Sequence, residues 1–447
     1  MHPPNFRRGL LLRGALSRLP VAIGASAALW GVVMWALLTH PEPPRPAEQK
    51  PPEPPALRQV VAAGQPTPIG GQFDRFDVAT QPIVAPVNAK GQVAFYASIL
   101  RNVATEGIFI TGKAGITKLA AVGDSITGGG ILTQFARHPA PSLNDAGAVA
   151  FNAAISSGQS AEGVFIARDG EIRPIAVVGG DAPGVLNGTF VAFDTPAINN
   201  RDEVVFVALV RHGRETFQAL YLYSAGKLRK LLAERDPYLG GGFFNEFGFP
   251  TISNRGVVAL PLTLDHGPVL GGIFVTGTRD LKMLVGAGQP APNGAMILRF
   301  SERVAIDDDD EVVFGAQIGV SLHPTEAVMK VNASGLTLLA SAGDAAPDGG
   351  HFAGFGPWPA VGGVGKFAFV AALDDAPGPI GIFAWQNGVL RRLVLAGQAL
   401  QAGAVLAPFA LNPVTSASAN GTVTFATQGN PDRGIPARIY AFGPPSD

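Results

Sequence analysis

Apolar positions fall in short runs along most of the chain, and Gly, Asn, Asp or Pro ends each run. The stretch from 190 to 236 shows the pattern as FVAFDTPAIN (Phe190–Asn199), VVFVALV (Val204–Val210), ALYLYS (Ala219–Ser224) and LRKLLAERD (Leu228–Asp236). Segments this short, rich in branched and aromatic side chains, read as strands. The links from first to second segment are tight, as in Asn88-Ala-Lys-Gly91 and Asn144-Asp-Ala-Gly147. Those from third to fourth are tight as well, at Asp169-Gly170, Ala225-Gly226, Ser334-Gly335 and Asn387-Gly388. Such pairs supply the positive φ of hairpin turns, so the pattern predicts units of four antiparallel strands.

The unit repeats. A phrase close to Asn-x-x-Gly-x-Val-Ala-Phe returns seven times, its aromatic position at Phe95, Phe151, Phe206, Leu260, Phe314, Phe369 and Phe425, with gaps by subtraction of 56, 55, 54, 54, 55 and 56. A steady period means stacked supersecondary units. A second motif ends the fourth segments: Gly123-Asp124, Gly180-Asp181, Gly288-Gln289, Gly343-Asp344 and Gly397-Gln398, with Arg235-Asp236 as a variant. Its seventh copy, Gly64-Gln65, precedes the first repeat, while the last repeat stops after Ala437–Phe442. The stretch Leu57–Ala63 therefore supplies the missing strand. This predicts an all-β, seven-bladed β-propeller over residues 57–443, closed by its N-terminal strand so that no sheet edge is left bare. Paired sandwiches or an open solenoid are the alternatives, and neither accounts for a repeat split between the two chain ends.

Ahead of the repeats the pattern changes. Residues 1–18 hold Arg7, Arg8, Arg13 and Arg18 and no acid, and Leu19–Leu38 is an uncharged run of 20 residues. A helix of that length spans about 30 Å, the hydrocarbon thickness of a bilayer. With the arginines on its N-terminal flank, the expectation is a cytoplasmic tail (1–18), an uncleaved signal-anchor (19–39) and an exported remainder. A cleaved signal peptide ending near Ala25-Ser26-Ala27 is the rival. The Pro-rich segment 40–56 reads as an extended spacer between bilayer and propeller.

Composition adds exclusions. Of 447 residues 57 are Gly and 38 Pro, which fits turn punctuation, because 47% are apolar and 27 are Phe. The formal net charge is −1, so no basic footprint for nucleic acid is present. With no Cys there are no disulfides, thiolate metal sites or cysteine nucleophiles. The seven His show no zinc spacing, and no phosphate loop, nucleophile elbow or dinucleotide fingerprint occurs, so no cofactor is expected. Asp307–Glu311 lacks the alternate-ligand pattern of a calcium loop and reads as a solvated turn.

The repeated phrase, followed by Gly-Ile-Phe (Gly107-Ile108-Phe109) and then Gly-Asp-x-x-Pro, resembles a group of bacterial secreted or surface-anchored tandem-repeat proteins named for the Asn-x-x-Gly-x-x-Ala-Phe motif. More distantly, each unit resembles a blade of the Tol-system propeller repeats. The resemblance covers about residues 57–443 and implies a propeller-like fold and an envelope location, with no activity attached.

In such a ring one face carries the tight hairpins and the other the long, variable loops, where binding is usually found. Asp124, Asp181, Asp236 and Asp344 stand on the long-loop face with Gln65, Gln289 and Gln398. They are the candidate binding residues, against the simpler role of capping their own turns. The recurring Phe76, Phe135, Phe193, Phe247, Phe300, Phe355 and Phe409 read as packing between blades. The expected function is a membrane-anchored, exported binding or scaffold module on the periplasmic or extracellular side of the bacterial cytoplasmic membrane. Its partner would be an envelope protein, a glycan or a small ligand. The alternative is a metal-dependent hydrolase or lactonase with its site in the channel, where Asp74, Asp77, Asp194 and Glu246 are the available acids.

Overall fold

A computed structural model of the chain describes residues 55–77, 82–135, 140–156, 160–277, 281–374, 379–400, 405–409 and 414–444. The expected tail, membrane segment and nearly all of the spacer lie outside these residues. Among the described residues no helix is long and apolar enough to cross a membrane.

The strands form seven antiparallel sheets that follow one another along the chain, so the protein is an all-β seven-bladed propeller. In the third blade the order from inner to outer strand is Thr189–Phe193, Val204–His212, Glu215–Ser224 and Lys227–Ala233. The inner strand is interrupted. A second piece, Ala197–Ile198, resumes the pairing with Val204–His212 after residues 194–196. The outer hairpins turn as their sequences require, with Asp169 and Gly170 at φ 52° and 84°, and Asn387 and Gly388 at 52° and 78°. The seventh sheet joins two segments far apart in sequence: Ala56–Ala62 pairs with Arg438–Gly443, from Ala56 opposite Gly443 to Ala62 opposite Arg438.

Packing between blades supplies the core. Seven apolar clusters each combine side chains of two consecutive blades. One joins Val61, Ala426 and Ile439 of the seventh blade to Phe73, Phe95 and Phe109 of the first. The recurring inner-strand Phe packs on the repeat's own Phe, with ring centroids 5.8 Å apart for Phe76 and Phe95, 5.7 Å for Phe193 and Phe206, and 5.1 Å for Phe409 and Phe425. Burying each such ring is worth roughly 1.5–3 kcal/mol.

The Asn of the repeated phrase bonds in two directions. Asn144 Oδ1 accepts from the backbone N–H of Ala146 (3.1 Å) and Ala148 (2.9 Å), capping its own turn. Its Nδ2 donates to the carbonyl of Asn199 in the next blade at 3.0 Å. Asn88 does the same toward Asn144 (3.1 Å), and Asn199 toward Ser253 (2.9 Å). A second row runs beside the first: Asp145, Asn200, Asn254 and Asp308 accept from the backbone N–H of Ala89, Asp145, Asn200 and Asn254 at 2.7–2.8 Å. The fourth position of the turn has positive φ in all seven blades, which explains the repeated Gly; Asp202 (56°) and Asp310 (63°) adopt it where Gly is missing.

The acidic run departs from its expected solvated character. Asp307 and Glu311 are buried at 3% and 7% exposure. Asp307 takes the place of the turn Asn and accepts from Asp309 and Glu311 N–H (3.0 and 2.9 Å) and, across the blade boundary, from Gly365 N–H at 3.0 Å. Glu311 is held by Lys330 Nζ and Asn332 Nδ2, both at 2.8 Å. Every carboxylate oxygen used here has a donor, which is what permits its burial.

Asn144→Ala leaves the Ala146 and Ala148 N–H groups without their acceptor and removes the bond to the next blade, whose Asn199 carbonyl keeps the Asp202 N–H of its own turn. The expected cost is about 2–4 kcal/mol, read as a lower urea midpoint. A loss below about 0.5 kcal/mol, the level of a surface substitution, would show that the row of turns does not hold the blades.

Candidate functional site

Because the turns are tied blade to blade, they provide a common register for the inner strands. Four residues before the first turn position stand Val84, Ala140, Thr195, Phe249, Arg303, Trp358 and Val414, one per blade. They converge. Val84, Ala140 and Val414 form one apolar cluster against which Trp358 packs. The Trp358 ring meets Phe249 edge-on at 5.8 Å, and the Arg303 guanidinium carbon lies 4.7 Å from its centroid. Residues of five other blades thus gather around a single indole, and the channel narrows to a largely apolar iris. Above it, toward the tight-turn face, a cavity of about 280 Å³ is lined by all seven blades.

Arg303 is the one charged member of that ring. Its Nη1 is buried and has no hydrogen-bond partner. Burial pushes the guanidinium down to about 10, with the charge of Asp194 pulling the other way, so it stays cationic at neutral pH. Its backbone carbonyl accepts from Ser301 Oγ at 2.9 Å, which fixes the strand beneath it. The cavity mouth carries Asp145, Asp307 and Asp308, and each is engaged by neighbouring donors.

The four candidate aspartates stand apart from one another, at the ends of the outer strands of the first, second, third and fifth blades. Asp124, Asp236 and Asp344 each accept the backbone N–H three residues upstream, from Ala121 (2.8 Å), Ala233 (2.7 Å) and Ser341 (2.8 Å). Gln65, Gln289 and Gln398 make the same bond to Ala62, Gly286 and Leu395. Asp124 also pairs with Lys118 at 2.6 Å and Asp236 with Lys230 at 3.6 Å, while Asp181 is exposed. Of the inner-strand acids, Asp74 accepts from Ser98 Oγ at 3.1 Å and Asp194 from the Thr195 N–H at 2.7 Å, while Glu246 is exposed. Burial raises the carboxyl of Asp77. Among the described residues no three His, Asp or Glu side chains are grouped closely enough to hold a metal ion.

Exposed apolar side chains follow the faces. Thirteen large apolar residues are exposed among the described residues, and all but Val364 and Val389 lie on the long-loop face, which leaves eleven there. Leu239 (104%), Val103 (97%), Leu322 (87%), Leu186 (80%) and Leu270 (77%) are the most exposed. Neither these residues nor the iris stood out in the sequence. The signal for the loops was an apolar residue inside a Gly-rich link, as in Tyr238-Leu239-Gly240. For the iris it was a count of four back from each turn.

These features define a β-propeller with a plugged channel, a polar vestibule on one face and apolar loops on the other. The chain belongs to a family of unknown function, DUF7453, whose model matches residues 52–264 and again 218–431. No curated protein matches the sequence. Among solved structures, the chain is similar to the β-propeller domain of the Trilobed protease from Pyrococcus furiosus, at 12% identity over 70% of this chain and 84% of that one, with a TM-score of 0.41. It is similar to a puromycin-hydrolyzing peptidase of Mycobacterium tuberculosis at 14% identity over 86% of this chain and 54% of that one, about half its length, with a TM-score of 0.44. Polysaccharide lyase Uly1 is similar at 10% identity over 89% of this chain and 100% of that one, with a TM-score of 0.44. Likeness at this level says nothing of substrate.

Asp307 at the mouth makes a pH prediction. Burial raises its carboxyl above the ordinary value, against the pull of the Gly365, Glu311 and Asp309 N–H groups. A carboxyl raised in the folded state contributes most below the unfolded-state value of about 4, and that contribution is lost as pH climbs through the folded one. The stability of the wild type relative to Asp307→Asn, from urea unfolding at a series of pH values, should therefore fall as pH rises from about 4. A difference that grows with pH would contradict the assignment.

Proposed function

We propose that the protein is a membrane-anchored, exported propeller of the bacterial envelope that binds a partner protein through its long-loop face. The concentration of exposed apolar side chains on that face carries the reading, since apolar surface gathered on one face of a protein marks an interaction site. Leu186, Leu239, Leu270, Val320 and Leu322 belong to the loops of consecutive blades. Asp124, Asp181, Asp236 and Asp344 rim the same face with polar groups, as in other protein interfaces.

The uncharged run Leu19–Leu38 and its arginine flank support a single-pass anchor in the cytoplasmic membrane, with the propeller on the periplasmic or extracellular side. Topology adds a direction. The strand Ala56–Ala62 starts at the tight-turn face, where Arg58 donates to the Gly91 carbonyl at 3.4 Å and to the Pro444 carbonyl at 3.3 Å. That strand therefore begins on the face opposite the apolar loops. The same strand, with Val61 fully buried, supports a ring closed by its N-terminus.

Two experiments test this reading. A photo-cross-linking residue placed at Leu186 or Leu239 in intact cells should give a discrete adduct that the same residue at Val389, on the opposite face, does not. Adding Leu270→Asp should remove the adduct while changing stability by no more than about 0.5 kcal/mol. Equal labelling from both faces would end the proposal. Deleting residues 56–62 should lower the urea midpoint by at least the roughly 1.5–3 kcal/mol of one buried aliphatic side chain and expose a strand edge that promotes association. An unchanged midpoint would mean that this strand does not close the ring.

A further inference from the structure

We infer that the channel binds a small organic carboxylate, its charged end on Arg303 and its apolar body against Trp358 and the iris. This is independent of the long-loop reading, since the site opens on the opposite face.

The first observation is an unmet donor. Buried polar groups nearly always have partners, and one without a partner implies strain, chemistry or a missing ligand. Arg303 Nη1 is buried and unpartnered while its residue lines the cavity. The second is that the guanidinium is held ready. Trp358 stacks under it at 4.7 Å, and Phe249, whose strand bridges that of Arg303, steadies the indole at 5.8 Å. A planar fork fixed on an aromatic face is the arrangement that receives a carboxylate through two parallel bonds.

The third observation is the company this cation keeps. Val84, Ala140, Thr195, Phe249, Trp358 and Val414, the six equivalent residues, bring no formal charge, and Val84, Ala140, Val414 and Trp358 pack together. The floor of the cavity is thus apolar with one placed cation, beneath polar walls, and such a floor suits a ligand with an apolar body and one charged end. The mouth sharpens the choice. Asp145, Asp307 and Asp308 line it, and their negative charge opposes a multiply charged phosphate more than a monocarboxylate. A cavity of about 280 Å³ has room for such a small molecule.

Benzoate, benzyl alcohol and inorganic phosphate, titrated separately into the full-length protein by calorimetry, test the site. Benzoate should bind, benzyl alcohol should not, and phosphate should bind more weakly than benzoate. Arg303→Met, which keeps the volume and removes the charge, should weaken benzoate roughly thirtyfold or more while the protein stays folded. Should that variant fail to fold, Arg303→Lys keeps the charge and loses the fork, and about a tenfold weakening is expected. Absence of benzoate binding to the wild type overturns the inference. So does benzoate binding that neither variant weakens. Phosphate binding as tight as benzoate, or benzyl alcohol binding equally well, overturns the ligand class.

Discussion

The ring depends on polar bonds that tie each turn to the next blade, and at three of the seven boundaries one buried side-chain amide makes them by bonding in two directions. Its oxygen gathers the N–H groups of its own turn and its nitrogen reaches the carbonyl of the next blade, so one residue shapes a hairpin and sets its distance from the neighbour. Only a carboxamide does both, because a carboxylate has no donor and a hydroxyl is too short. The exceptions follow from that chemistry. Where Asp307 stands in, the bond reverses direction and accepts from the Gly365 N–H. Where Ser253 stands in, its hydroxyl caps one N–H at 3.2 Å, and the crossing falls to Asn254 and Arg255, both of which donate to Asp308. The last two boundaries are crossed by Lys366 to the Ala419 carbonyl and by Arg58 to the Gly91 carbonyl. The partner changes from blade to blade, but a polar bond at each boundary does not.

A further set of crossings lies away from the turns. Glu106, Gln218 and Glu326, near the start of their third strands, accept from the N–H of Phe135, Phe247 and Phe355 in the next blade at 3.2, 3.1 and 2.9 Å. Glu162 makes the same bond to Phe193, and burial raises its carboxyl against that pull. These bonds fall at the interruptions of the inner strands, where a residue has lost its ladder partner and its N–H must be satisfied elsewhere. The chain has only 15% charged residues, yet several acids sit at blade boundaries. They are part of the frame, which is why an acid on an inner strand is poor evidence for a metal site in this molecule.

The fold was legible because its signal is periodic. Seven copies at 54–56-residue spacing are an outcome of geometry, since every blade must fill the same wedge. The capping role of Asp124, Asp236 and Asp344 could be weighed for the same reason: a residue present in each blade serves the blade. The iris was hidden because the inner strand does not keep time with the rest. From inner-strand Phe to turn is 9 residues in the second blade (Phe135 to Asn144), 6 in the third (Phe193 to Asn199) and 7 in the fifth (Phe300 to Asp307). The spacing between Phe and turn therefore varies, so counting from the Phe scrambles the channel level and counting back from the turn restores it. The buried ends of the Asp307–Glu311 run were missed for another reason. Charge density suggested solvent, and the donors that make burial tolerable come from residues far away in sequence, Gly365 and Lys330.

A frame tied at every boundary also constrains what a departure from the pattern can mean. Once the turns are locked, the residue four back is carried to the axis whatever its identity, so that level is open to choice. If its task were only to plug the channel, apolar residues at all seven places would suffice, and replacing buried ionic groups with apolar residues of similar volume is often neutral or stabilising. Five places follow that rule, and Thr195 is polar but uncharged. Arg303 breaks it and pays a desolvation penalty that Asp194 only partly offsets. Its cation is moreover braced on Trp358, the one ring in contact with the apolar plug, so an occupant that satisfied the guanidinium would also rest on the surface that seals the channel. Charge and plug therefore form one site, placed where the repeats differ.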